Sequence, residues 1–240
     1  MADPIHQFEI KKIVPLELNN IDISFTNSSM FMILTISLVS IFLILSIKSK
    51  KVIPNRFQVI SELFYEFIAN MINDNIGHKG QRFFPLIFTL FTFILFGNLL
   101  GMLPYSFTFT SHIIVTFVLA MFIFLFVTLI GIFMHGFKFF SLFVPKGVPI
   151  MMLPLMVPIE IISYLSRPIS LSVRLFANMM ASHTMLKIFA GFVFSLGIFG
   201  IAPLIVDVAL TALEVLIAIL QAYVFTILTC IYLNESINLH

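Results

Sequence analysis

The sequence is short of charge, cysteine and tryptophan, and each shortage excludes a class of protein. Only 10% of its 240 residues are charged. An average soluble domain carries about 25%, so this chain cannot cover a water-facing surface, and a soluble enzyme or a disordered tail is excluded. The single cysteine, Cys230, excludes an intrachain disulfide and a cysteine metal site. With no tryptophan, any aromatic belt at a membrane surface must use Phe and Tyr.

The chain is instead rich in long apolar stretches, and hydrophobic residues make up 60% of it. Residues 23–47 and 83–137 contain no Asp, Glu, Lys or Arg. As a single helix the second stretch would run about 80 Å, whereas a membrane core is about 30 Å thick. It must therefore hold two spans, joined by a turn at Pro104 and the polar run that follows. We predict spans near 28–47, 83–103 and 112–135, then two long, tilted helices near 148–187 and 191–235.

These stretches predict an all-α integral membrane protein with about five membrane helices. Residues 1–240 form a single membrane domain, with an outer segment at 1–27, a hairpin at 83–135 and the two long helices within 148–235. Positive residues cluster in loops on one side: Lys48, Lys50, Lys51, Arg56, Lys79, Arg82, Lys138 and Lys146. Because short cytoplasmic or matrix loops carry the excess of Lys and Arg, we expect the N-terminus outside and the C-terminus inside.

The stretch 57–76 differs from the spans because it is amphipathic. Its apolar and polar residues fall on opposite faces of a helix, with Phe57, Ile60, Leu63, Phe64, Phe67, Ile68 and Met71 against Gln58, Glu62, Glu66, Asn70 and Asn73. Such a pattern is typical of a helix that lies in the membrane interface. A helix in a soluble loop is the alternative.

Ionisable residues within predicted spans are candidate functional residues, because each costs about 2.5–3.5 kcal/mol on insertion scales. On the fourth predicted helix, Glu160, Arg167 and Arg174 recur every seven residues and so share one face. The neighbours of Arg174 on that face are small or polar, namely Ser170, Ala177, Asn178 and Ala181. Small residues let another helix approach closely, so this face suits a partner. We interpret Arg167 as reaching towards the membrane surface.

The fifth predicted helix carries a second stripe. Asp207, Glu214 and Gln221 also recur every seven residues. Antiparallel packing of the two long helices places His183 near Asp207 and Glu214, and Gln221 nearer Arg174, while Glu160 lies towards the inside. An alternative is that these groups are buried ion pairs that only fix the helix register.

This layout suits proton transfer. Carboxylates and imidazoles can have pKa values near ambient pH, so they can pass protons. Arginine cannot, because its pKa is above about 12. An arginine between two proton-conducting groups would block a direct leak, while a moving carboxylate on a partner could carry protons past it.

Three motifs in order along the chain resemble one family. They are Ser166-Arg-Pro-Ile-Ser-Leu-Ser-Val-Arg-Leu-Phe-Ala-Asn178 continuing to His183, Asn98-Leu-Leu-Gly-Met-Leu-Pro-Tyr-Ser-Phe107, and Glu214 followed by Leu220-Gln-Ala-Tyr-Val-Phe-Thr226. Together they resemble subunit a of the F-type ATP synthase. The opening Gln7-Phe-Glu-Ile10 and Phe25-Thr-Asn-Ser28 are similar to the alphaproteobacterial and mitochondrial branch.

The resemblance implies a role for each matching residue. Arg174 would face a carboxylate of the c-subunit ring. His183, Glu214 and Asn178 would belong to the outer proton half-channel, with Gln221 close to Arg174, and Glu160 would belong to the inner one. We expect a proton to enter past Asp207, His183 and Glu214; the alternative for Asp207 is a place in the outer headgroup region. The implied partners are the c ring, b-type peripheral stalk subunits, the rest of the ATP synthase complex, membrane lipid and protons, in a bacterial inner or mitochondrial inner membrane. Many bacterial members exchange the acid and the base found here at His183 and Glu214.

Other features are less specific. No phosphate loop, metal cluster or nucleophile–base pair appears, so we expect no cofactor and no ATP chemistry in this chain alone. A net charge of +2 is too balanced to suggest nucleic-acid binding. Gly97-Asn-Leu-Leu-Gly101 is a GxxxG pattern, which predicts close packing of a helix pair.

Two other functions compete with a proton-conducting stator. A secondary carrier could use the same buried charges, although no pair of matching broken helices in two repeated halves is visible. A structural membrane anchor of a respiratory complex would need no ordered stripes of charge.

Overall fold

The computed structural model describes residues 8–15, 17–18, 21–22, 24–48, 55–103, 106–144 and 152–238. Most of these residues are helical, in α1 (Asn27–Lys48), α2 (Arg56–Asn75), α3 (Phe84–Gly101), α4 (Ile113–His135), α5 (Leu153–Ser195) and α6 (Ile201–Ile237). Shorter 3-10 segments lie at His78–Phe83, Phe109–Ser111, Gly136–Phe143 and Gly197–Gly200. Pro104, Lys50, Lys51, Lys146 and the predicted helix start at 148–151 lie outside the described residues.

The predicted all-α membrane fold is confirmed. Among the described residues, four helical segments are long and apolar enough to cross a membrane, at Asn27–Ser46, His78–Gly101, Ile113–Phe139 and Ile201–Ile237. The fifth long helix, α5, has 43 residues and carries the charges Glu160, Arg167, Arg174 and Lys187. It would run about 64 Å, roughly twice the thickness of a membrane core, as a strongly tilted helix can.

The two long helices end later along the chain than the sequence predicts. α5 continues to Ser195 and α6 begins only at Ile201. Gly197, between them, has a φ of 55°, a left-handed conformation that glycine adopts at little cost. The turn is therefore short and lies at this glycine, so residues 188–195 can extend α5.

Two small antiparallel strand pairs precede α1, and the sequence analysis did not predict them. β1 (Lys12–Val14) pairs with β4 (Phe25–Thr26), and β2 (Glu17–Leu18) pairs with β3 (Ile21–Asp22). Strands of two or three residues are too short for a two-residue period to be recognised. They fold the N-terminal segment back along the start of α1.

The core lies where α6 packs against α3, α4 and α5. Its fully buried side chains include Ile87 and Ile94 of α3, Ile123 of α4, Leu175 of α5 and Phe225 of α6. Outward-facing positions of the same helices are apolar too, as expected for surfaces that meet lipid or another membrane protein rather than water.

The amphipathic helix α2 is attached to this bundle by one end. Its last turns bury Ile68, Met71 and Ile72, whereas Phe57 and Leu63 near its start are 55% and 59% exposed. Exposed large apolar side chains at the start of an otherwise polar helix fit a position in the membrane interface.

Candidate functional site

The stripe on α6 is buried within the helix bundle. Glu214 and Gln221 are 2% and 3% exposed. Asp207 is half-buried, and its Oδ1 atom has no hydrogen-bond partner among the described residues. Steps of seven residues are close to two helical turns, so the three side chains follow one another along the same face of α6.

His183 of α5 and Glu214 of α6 meet in this interior. Nδ1 of His183 lies 3.1 Å from Oε1 of Glu214, and the imidazole is 11% exposed. Oε1 receives no well-directed hydrogen bond from the described residues, so the contact is a close approach of base and acid. Such a pair can hold a single proton between its members, since each group can both accept and release one.

Thr108 completes the surroundings of the imidazole, and sequence reasoning missed it. Its Oγ1 lies 3.0 Å from Nε2 of His183 and is also 3.1 Å from the carbonyl oxygen of Gly101. The polar run 106–111 was assigned only a turn. A hydroxyl-rich turn between two apolar spans is the signal that could have indicated a site.

The glycines of α3 bring this loop close to the bundle. A Cβ atom at Gly101 would lie 2.5 Å from the Thr108 side chain, and one at Gly97 would lie 2.5 Å from the Phe109 ring. The nearest atoms at both glycines thus belong to the loop and not to a neighbouring helix, contrary to the predicted helix–helix contact. The missing side chains leave the space in which Thr108 can reach His183.

A further polar tie holds the loop to α6. Thr110 Oγ1 donates to Oδ1 of Asn98 at 2.9 Å, and Nδ2 of Asn98 donates to the carbonyl oxygen of Ala218 at 3.4 Å. Asn98 is fully buried, so these bonds satisfy both ends of its amide group.

Asn178 and Gln221 form the next contact along α5 and α6. Nδ2 of Asn178 donates to Oε1 of Gln221 at 2.8 Å. Nε2 of Gln221 is buried and has no acceptor among the described residues. Gln221 therefore accepts a hydrogen bond from Asn178, which lies one turn from Arg174. The Nε2 group of Gln221 stays available as a donor.

Arg174 lies on an exposed face of α5. It makes no hydrogen bond or ion pair with any residue that the structure describes. Ser170, Ala177 and Ala181 around it are exposed as well. A guanidinium within a membrane helix is costly when unpaired, so the surroundings of Arg174 are unfavourable in the single chain.

Glu160 is separated from the other acidic groups. It lies 14 residues before Arg174 on α5, about 21 Å along the helix. The side chain is half-buried and has no hydrogen-bond or ion-pair partner within the described part of the chain. The structure thus does not bring Glu160 together with His183, Glu214 or Asp207.

Arg167, which we interpret from the sequence as reaching towards the membrane surface, has partners within the chain. It forms an ion pair with Glu235 of α6, and the two side chains are 17% and 33% exposed. Its guanidinium carbon also lies 5.1 Å and 4.9 Å from the ring centres of Tyr164 and Tyr232. The sequence could not indicate this ion pair, because Glu235 cannot be matched to Arg167 without the register of α5 against α6.

The fold and site together define an integral membrane protein with acid, base and amide groups in line along two antiparallel helices. A family model described as ATP synthase A chain matches residues 29–234. The ATP synthase subunit a of Pelagibacter ubique is 59% identical over 243 residues, covering 100% of this chain and 99% of its own. Those of Chelativorans sp. and Rhodospirillum rubrum are each 56% identical, covering 98% and 100% of their own lengths.

The chain belongs to the ATP synthase A chain family. It is therefore a membrane-embedded, proton-translocating stator subunit of an F-type ATP synthase. The secondary carrier and the simple structural anchor are not favoured.

Proposed function

We propose that the chain conducts protons through two half-channels that do not meet. Asp207, His183, Glu214, Asn178 and Gln221 belong to the outer half-channel. Its support is the shared face of Asp207, Glu214 and Gln221 on α6, with the His183–Glu214 contact at 3.1 Å and the Asn178–Gln221 bond at 2.8 Å.

Glu160 belongs to the inner half-channel. The distance of about 21 Å along α5 between Glu160 and Arg174 supports a separate path, because protons do not cross such a gap without intermediate groups. Water and neighbouring subunits supply those groups in the assembled complex.

Arg174 faces a carboxylate on a ring of c subunits, and the proposal depends most on the exposed position of this arginine. Arg174 is exposed and unpaired among the described residues, and small residues surround it. A fixed positive charge on a close-packing face needs an anionic partner, and its planar fork suits a carboxylate.

The proposed cycle follows from these positions. A proton enters past Asp207, His183 and Glu214 and neutralises a ring carboxylate, which can then move into lipid, where a charge would be costly. After nearly a full turn the carboxylate loses its proton towards Glu160 and pairs with Arg174. Each proton that crosses about 100 mV releases about 2.3 kcal/mol, so several must pass for each ATP.

The partners of the chain are the c ring, b-type peripheral stalk subunits and the rest of the complex. The chain binds no cofactor and carries out no ATP chemistry by itself. Its contribution is the path, the barrier at Arg174 and the stationary surface against which the ring turns.

Replacement of Arg174 by Gln tests the proposal. We expect the complex to assemble, as judged on native gels, and ATP-driven proton pumping into inverted vesicles to vanish. Ser166→Ala is the matched control, since Ser166 is exposed on the same helix and bonds only to the carbonyl oxygen of Ser163, at 2.8 Å. Pumping near the normal rate in assembled Arg174→Gln complexes would show that the charge at position 174 is not the barrier.

A further inference from the structure

The hydroxyl of Thr108 has contacts that determine where its proton points. A carbonyl oxygen can only accept, so in the 3.1 Å bond to Gly101 the hydroxyl of Thr108 is the donor. A hydroxyl has one proton. In the 3.0 Å contact with His183 the same oxygen must therefore accept, and Nε2 of His183 must carry a hydrogen.

Only this assignment makes both contacts of Thr108 hydrogen bonds. If Thr108 donated to Nε2 instead, its approach to the Gly101 carbonyl would be left without a proton. Thr108 is 5% exposed, so water cannot readily replace the lost bond. The close approach to Gly101 is built into the chain, because any Cβ atom at that position would overlap Thr108.

The tautomer of His183 follows from this. In a neutral imidazole only one nitrogen carries hydrogen, so with Nε2 protonated it is Nδ1 that is free to accept. Nδ1 is the atom that lies 3.1 Å from Oε1 of Glu214. The nitrogen without hydrogen is therefore the one that lies nearest to the acid, in a close contact that is not aligned as a hydrogen bond.

We propose that Thr108 is a positioning residue that holds His183 in the Nε2–H tautomer, so that a proton can pass directly between Glu214 and Nδ1. In the transfer, the O–H bond of Glu214 breaks and an N–H bond forms at Nδ1. The result is a carboxylate beside an imidazolium. The bonds of Thr108 stay the same in both states, so the loop need not move. This inference rests on the proposed outer half-channel.

The opposite tautomer would work against that transfer. With hydrogen on Nδ1, a neutral His183 could only donate to Glu214 and could not accept its proton. The ring would have to rotate before each transfer, although it is 11% exposed and closed on a further side by the ring of Phe8, whose centre is 6.4 Å away. With Thr108 holding hydrogen on Nε2, no rotation of the His183 ring is needed.

Thr108→Val is the test, because valine keeps the shape of threonine and loses only the hydroxyl. We expect a fall in ATP-driven proton pumping of about fivefold to tenfold per assembled complex, the equivalent of one lost hydrogen bond in the transition state. Thr108→Ser, which restores the hydroxyl, should recover most of the rate. Thr116→Val is the matched control, since this buried hydroxyl bonds only to carbonyl oxygens of its own helical segment, including that of Ile113 at 3.1 Å.

A second measurement reads the tautomer itself. In ¹⁵N solid-state NMR of the complex with labelled histidine, the His183 signal is identified by its loss in His183→Gln. We expect hydrogen on Nε2 in the native complex and a mixture of tautomers in Thr108→Val. This readout does not depend on proton flow, so it can succeed or fail independently of the Arg174 experiment.

Three results would overturn the inference. They are normal pumping by Thr108→Val, a serine variant as slow as the valine variant, or a native His183 with hydrogen on Nδ1 alone. If Thr108→Val pumps normally while Arg174→Gln does not, the half-channel proposal stands and only the role of Thr108 is lost.

Discussion

Arg167 and Arg174 lie seven residues apart on α5 and have opposite surroundings. Arg167 is paired with Glu235 and flanked by two tyrosine rings, all within the chain. Arg174 is exposed and has no ion-pair partner among the described residues. The same residue type on one helix therefore serves two purposes. Arg167 joins α5 to α6, whereas the charge of Arg174 stays exposed, which is why we propose that a partner subunit meets it.

The acidic residues of α6 show the same contrast. Glu235 has a permanent cation, Arg167, as its partner. Glu214 has as its close partner His183, which can itself gain or lose a proton. A group that must exchange protons needs a partner of the second kind, and a group that holds helices together is better served by the first.

The largest effect should come from Glu214. Glu214→Gln keeps the shape of the side chain but cannot release a proton, so we expect proton pumping to fall by about 10²-fold or more. The amount of assembled complex should change little, because glutamine can still hydrogen-bond to His183. Pumping assays and native gels on the same membranes measure both quantities, and substantial pumping by assembled Glu214→Gln complexes would remove Glu214 from the path.

Breaking the Arg167–Glu235 pair should lower stability and leave pumping largely intact, the reverse of the result expected for Glu214→Gln. Arg167→Ala removes an ion pair and two cation–π contacts, and the partial exposure of the pair limits the loss of stability to about 1–3 kcal/mol. We expect a lower melting temperature of the purified complex, with most pumping per assembled complex retained. Arg167→Lys should recover part of the stability. If Arg167→Ala is as stable as the native complex but does not pump, the contrast between the two arginines fails.

A smaller loss of stability, again without loss of pumping, is expected when the hydroxyl of Thr128 is removed. Its Oγ1 lies 2.7 Å from the hydroxyl of Tyr164, the residue that stacks on Arg167, and thereby ties α4 to α5. Hydrogen bonds between membrane helices average about 0.6 kcal/mol, so Thr128→Val should lower thermal stability only slightly and leave pumping unchanged. Thr89→Val, whose hydroxyl bonds to carbonyl oxygens of Pro85 and Leu86, is the control for loss of a hydroxyl as such. A large loss of pumping in Thr128→Val would place this contact in the proton path.

The helices could be predicted from the sequence because a membrane span leaves a long signal. The uncharged stretches locate α1, α3 and α4, and the seven-residue spacing of Asp207, Glu214 and Gln221 gives the buried face of α6. Periodicity along one helix needs no knowledge of its neighbours.

Contacts between distant parts of the chain could not be predicted in this way. The approach of Thr108 to His183 depends on a loop packed against Gly97 and Gly101. The pairing of Arg167 with Glu235 depends on the register of two long helices, where a shift of one turn would separate them. Both contacts depend on how distant segments pack together, and this packing cannot be read from any one stretch of the sequence.

The central claim is that Arg174 blocks direct passage of protons between two separate half-channels. The most direct measurement is passive proton flux, driven by an imposed membrane potential, through vesicles that hold the whole complex without nucleotide, so that the ring cannot turn. We predict no flux through the native complex and a measurable leak through Arg174→Gln. A native complex that conducts protons with its ring stopped, or an Arg174→Gln complex that stays tight under the same potential, would contradict the account.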